Sequence, residues 1–97
     1  MTFTATPFEY VFSAPLWEGL SAEMITAYAK RGDRLAVTVD AWHQEKDSHC
    51  EWEISFSPHD VDLTTTRVRL EAGGMLNITI RRNEEYSAEA DPPVIRC

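Results

Sequence analysis

The side chains best suited to metal binding or acid–base chemistry are His43, His49, Cys50 and His59. Their value depends on where they point. Residues 35–56 read LAVTVDAWHQEKDSHCEWEISF, two runs of apolar–polar alternation around a charged segment. Alternation of period two is the pattern of half-buried strands, so this stretch predicts a hairpin. With a turn over Glu45, Lys46, Asp47 and Ser48, His43 faces Cys50, Ala41 faces Trp52, Val39 faces Ile54 and Val37 faces Phe56. A metal needs ligands that converge on one point. The same alternation sends His49 to the face opposite His43 and Cys50, so no metal or other cofactor is expected. A Cys50 nucleophile with His43 as its base is disfavoured too, because Glu51 and Glu53 make its surroundings electronegative, unlike those of reactive thiolates.

Asp40, Glu51 and Glu53 share the outward face of this hairpin. Paired carboxylates can perform general acid–base work, but only in a cleft that gives the two groups unlike environments. A single small sheet offers little room for one, and a solvated face balanced by Arg67 and Arg69 is the simpler expectation. His59-Asp60-x-Asp62 follows Pro58 in a turn and lacks the oxygen ligands a calcium loop needs, so Asp60 reads as a turn residue. Gly73–Gly74 lacks the spacing and the following helix of a phosphate loop. No catalytic residue is assigned. Trp42 alternates outward beside the acids, and an outward tryptophan is a frequent anchor for a protein partner. Asp40, Trp42, Glu51 and Glu53 are therefore the partner-binding candidates. Tyr28, His43 and Cys50 are the candidates for lining a small-ligand pocket.

The elements that must position these residues follow along the chain. Phe8–Phe12 alternates and predicts a first strand between Pro7 and Pro15. Ser21 is a suitable N-cap for a helix over Ala22–Arg31, with Glu23 early, Lys30 and Arg31 late, Gly32 as C-cap and Met24, Ile25 and Tyr28 as its apolar stripe. Ten residues make a marginal helix alone, so it must pack on a sheet. After the central hairpin, a strand over about Thr65–Glu71, an Ala72–Gly73–Gly74 loop and a strand over Met75–Arg82 pair Leu70 with Leu76, Val68 with Ile78 and Thr66 with Ile80. The fold class expected is α+β, β-α-β-β-β-β, a small antiparallel sheet of four to five strands with one helix on one face. Residues 1–83 form the domain. Residues 84–97 read as an acidic, proline-containing tail, extended or disordered, in which Val94 and Ile95 have the means to dock.

The stretch WEISFSPHDVDLTTTRVRLEAGGMLNITIRR, Trp52 to Arg82, resembles the core of small heat-shock (α-crystallin-type) domains. There a strand is followed by an F-S-P-x-D/E turn, a second strand, a glycine and an L-x-I-x-x-R-like strand. The likeness spans 31 of the 97 residues and implies a strand–turn–hairpin; the helix and the length depart from that family.

Composition narrows the function. The chain has 97 residues, 43% of them hydrophobic, which suits one globular domain. Its net charge is −7, from 16 acids and 9 bases. Seven of those acids fall between Asp40 and Asp62, against the single base Lys46. Such a face repels nucleic acid and anionic membrane and suits a basic protein. The two cysteines, Cys50 and Cys97, make no disulfide framework, and with no secretory leader read at the N-terminus the cytoplasm is the expected location. The expected function is a non-catalytic protein-binding module, one form of which blocks the nucleic-acid site of a basic partner; a homodimer is compatible with it. The alternative is a small-ligand carrier or enzyme with a pocket between helix and sheet.

Overall fold

The computed structural model of the chain describes residues 1–16, 19–31, 33–41, 48–83, 85 and 90–96. Two four-stranded antiparallel sheets face one another. The first has the order β1 (Thr2–Ala5), β2 (Glu9–Pro15), β7 (Met75–Arg82), β6 (Val61–Glu71). The second has the order β3 (Ile25–Lys30), β4 (Arg34–Ala41), β5 (Ser48–Ser55), β8 (Val94–Arg96).

The α+β expectation is overturned. Ser21 is extended, with no side-chain cap, and Ala22–Met24 makes a single 3-10 turn. Beyond it the expected helix is strand β3, paired along its whole length with β4 from Ile25↔Val39 to Lys30↔Arg34. Ile25, Thr26 and Tyr28 favour extended chain, and six residues are too few for the two periodicities to separate. The long-range partner decides: without β3, one side of β4 would keep its backbone groups unpaired. The tight return between β3 and β4 uses Asp33 at a positive φ of 56°; Gly32, the expected C-cap, lies outside the described residues.

The core is built from alternate residues of four central strands. Tyr10, Phe12 and Ala14 of β2 and Leu76, Ile78 and Ile80 of β7 pack against Leu35, Val37 and Val39 of β4 and Trp52 and Ile54 of β5, with Phe56 and Val61 closing the set. Val39, Ile54 and Trp52 are thus buried beneath a second sheet rather than a helix. The β4–β5 register also differs from expectation: Val39 faces Cys50, Val37 faces Trp52 and Leu35 faces Ile54. The expected partner of Val39 was Ile54, so the ladder has moved by four residues. An even shift keeps every side chain on its face, which is why the inward set was read correctly with the wrong partners. The β6–β7 pairs Leu70↔Leu76 and Val68↔Ile78 are as expected.

Two more strands lie where none was read. β1 pairs with β2, its Phe3 ring 5.7 Å from that of Phe12. β8, within the tail segment, pairs with β5 from Glu53↔Arg96 to Ser55↔Val94, and Asp91 N–H donates to the Ser57 hydroxyl.

One polar group is sealed into this core. Asp60 lies in a turn, as expected, but is wholly buried there. Tyr10 donates its hydroxyl to Oδ2 at 2.5 Å, and Arg82 Nε donates to Oδ1 at 3.0 Å. The Arg82 guanidinium also lies 4.4 Å over the Tyr10 ring and donates to Thr6 O. Burial, then the bond to Asp60, pushes the Tyr10 phenol from 10.0 to about 12. A phenol held protonated by the fold stabilises it fully below pH 10 and loses that effect as pH rises through about 12. In chemical denaturation, Asp60→Ala should lose about 3–5 kcal/mol, because it breaks the buried pair with Arg82 and removes the acceptor of the Tyr10 hydroxyl. Tyr10→Phe should cost less, about 1–2 kcal/mol, and should flatten the alkaline fall in stability between pH 10 and 12.

Candidate functional site

Asp40, Glu51 and Glu53 do share the outer face of the second sheet, together with His49: Asp40 faces His49, Thr38 faces Glu51 and Ala36 faces Glu53. Their charges are largely answered on the spot. Glu53 accepts from Lys30 at 3.2 Å and from Arg34 at 3.0 Å, and the Lys30 bond leads the causes that hold its carboxyl below the usual range. These partners replace the expected Arg67 and Arg69, which sit on β6 in the other sheet. His49 stands between the remaining two acids, Nδ1 at 2.5 Å from Asp40 and Nε2 at 3.6 Å from Glu51. The Asp40 bond is the main reason that its pKa rises above 6.5.

The expected pocket set is not brought together. Tyr28 lies on edge strand β3, opposite Ala36, and is 46% exposed on the outer face. Cys50 faces Val39 and packs inward against the core. The two occupy opposite faces of one sheet, and the helix that was to roof the pocket is absent. Trp42 and His43, as well as Trp17 and Cys97, lie outside the described residues. Among the described residues no group of three or more His, Cys, Asp or Glu side chains is placed to hold a metal ion, and no helix is long and apolar enough to cross a membrane.

The surface feature that the pattern did not announce is on the first sheet. Between Asp62↔Arg81 and Arg67↔Thr79, β6 advances five residues while β7 advances two. The three extra residues form a bulge stitched by its own hydroxyls. Thr64 donates to Asp62 Oδ1, Thr65 to Asp62 O and Thr66 to Leu63 O, while Arg81 N–H donates to the Thr65 oxygen in place of a ladder carbonyl. Beside the bulge an open groove of about 470 Å³ is lined by Phe8, Glu9, Thr64–Arg67, Thr79 and Arg81. The Thr64–Thr65–Thr66 run was the available signal; it was read only as a β-former.

Past the bulge, β6 is, among the described residues, an edge strand of the first sheet. Leu70 and Val68 point inward, opposite Leu76 and Ile78. Those partners are fully buried, yet Val68 is 41% exposed, so the sandwich is open along this edge. Arg67 and Arg69 alternate to the outer side.

No protein-family model matches the chain, and no curated protein matches it by sequence. Among solved structures it is similar to Stress-induced protein 1 from Caenorhabditis elegans, with a TM-score of 0.62 and 15% identity over 84% of this chain and 86% of that one. At that identity the likeness is one of fold.

The His49 arrangement can be checked directly. In an NMR titration His49 should hold its proton above pH 6.5, and Asp40→Asn should bring the midpoint down. A raised histidine pKa stabilises the fold below the ordinary value and ceases to as pH rises through the shifted one. Glu53, lowered, acts oppositely: its contribution stands above 4.5 and fades as pH falls through its depressed value.

Proposed function

We propose that this chain is a non-catalytic protein-binding module that receives an extended segment of a partner beside β6. The observation that supports it most is Val68, an inward-facing core-strip residue that is 41% exposed next to the fully buried Ile78. An edge strand offers unpaired N–H and C=O groups on every second residue, and an added strand satisfies them. Apolar side chains of that strand would cover Val68 and Leu70, removing apolar surface from water at roughly 25 cal/mol per Å². Main-chain pairing gives affinity without demanding one sequence; the apolar strip gives selectivity.

Pairing with β6 of a second copy is disfavoured. An antiparallel self-pair centred on Val68 sets Arg67 against Arg69 across the seam, and like charges directly opposite repel. The partner is therefore a different chain, and the homodimer is not proposed through this edge. The charge-decoy form, in which Asp40, Glu51 and Glu53 occupy the nucleic-acid site of a basic protein, has weaker support, because Lys30, Arg34 and His49 already engage those acids.

The test is amide hydrogen exchange in the presence of soluble peptides with valine at alternate positions. Protection should appear along residues 66–70. Val68→Lys should abolish it while changing stability by less than about 1 kcal/mol, as for a partly exposed site. Protection confined to other strands, or unchanged in Val68→Lys, would overturn the reading.

A further inference from the structure

We infer that the groove on the outer face of the first sheet, flanked by Arg67 and Arg81, is a second binding site that takes an extended acidic peptide segment. It faces away from Val68 and does not depend on the β6 edge reading. Among the described residues, neither Arg67, Arg69 nor Arg81 has an acidic partner within ion-pair distance, whereas on the second sheet's outer face Lys30 and Arg34 both pair with Glu53 and Arg96 stands opposite it. In a chain of net charge −7, unpaired arginines on one polar face are the place where an anion finds complementary charge.

Geometry narrows the anion to a strand-like one. Arg67 faces Thr79, and Arg81 lies two residues further along β7 on the same face. Diagonal neighbours of that kind stand roughly 7–8 Å apart. Acidic side chains at positions i and i+2 of an extended peptide project to one side about 7 Å apart. Each guanidinium fork can then take one carboxylate bidentately. The threonine hydroxyls of the bulge donate their protons within the protein, so charge rather than hydroxyl donation selects the ligand. Phe8, 62% exposed at the groove's end, supplies an apolar surface for one further side chain. Glu9 in the lining and Asp62 at the start of β6 both face Arg81 and oppose binding, although Asp62 Oδ1 is engaged by Thr64.

The experiment is a fluorescence titration of the full chain with a labelled Glu-Val-Glu-Phe peptide, and with Lys-Val-Lys-Phe as control. Arg67→Ala and Arg81→Ala should each weaken the acidic peptide about tenfold, equivalent to ~1.4 kcal/mol, and Glu9→Gln should tighten it. Among the described residues neither arginine makes an ion pair, so unchanged thermal unfolding of both variants verifies their integrity. Affinity should fall as salt rises, and Val68→Lys should leave it intact. Equal binding of the lysine peptide, indifference to the double arginine variant, absence of millimolar binding, or inorganic phosphate binding as tightly as the peptide would each overturn the proposal.

Discussion

The sandwich depends on one buried charge. Asp60 sits in the turn between β5 and β6, where the chain crosses from one sheet to the other, and its carboxylate is shared by Tyr10 of β2 and Arg82 at the end of β7. Its backbone is bound as well, its N–H donating to Ser57 O and its carbonyl accepting from Asn83 N–H. Arg82 then reaches Thr6 O, bringing in the turn that joins β1 to β2. One carboxylate thus fixes two strands, two turns and the crossover. A lone buried ion would be prohibitively costly, and a buried pair is weak evidence of net stability by itself. What the arrangement provides is specificity: only one placement of the 57–60 turn satisfies both oxygens, so the crossover has little freedom to slide.

That anchor explains why irregularity appears where it does. β6 is held at its start, where Val61 faces Arg82, and again from Arg67 onward, where the ladder with β7 is regular. The surplus residues between these points must leave the ladder, and the threonine run absorbs them by exchanging side-chain for backbone hydrogen bonds. The same bulge opens the groove on the outer face. Past it, β6 is regular but unaccompanied, which leaves Val68 uncovered on the inner face. The groove thus descends from the surplus residues of β6 and the uncovered strip from its edge position, and they face opposite ways.

Legibility followed the range of the interactions. Alternation is local, so the inward rows of β4, β5 and β7, and the Leu70–Leu76 and Val68–Ile78 pairs across a short glycine loop, could be read from the chain. Which strands pair over longer distances could not. Caps around Ala22–Arg31 (Ser21, Glu23, Lys30, Arg31) satisfied every local rule for a helix, and the segment is a strand because β4 has an edge to fill. Asp60 followed a proline in a polar stretch, and nothing nearby reveals that Tyr10, fifty residues earlier, supplies its partner. The acids of β5 were placed on the correct face, but their cations come from β3 and β4 rather than β6, since assignment to sheets was the missing knowledge.

The distribution of charge between the two outer faces bears on how such a molecule can associate. On the outer face of the second sheet Asp40, Glu51 and Glu53 stand among Lys30, Arg34, Arg96 and His49, and Lys30, Arg34 and His49 hold them. On the outer face of the first, Glu9, Asp62 and Glu71 stand among Arg67, Arg69 and Arg81, but among the described residues no acid lies within ion-pair distance of these arginines. Total charge would point to basic partners and to the second sheet. Charge that is still unpaired after folding points to acidic partners and to the first. The second criterion is the more physical one, because a carboxylate already bound to Lys30 and Arg34 must give up those contacts before it can serve another protein, whereas the Arg67 and Arg81 guanidinium groups give up only water.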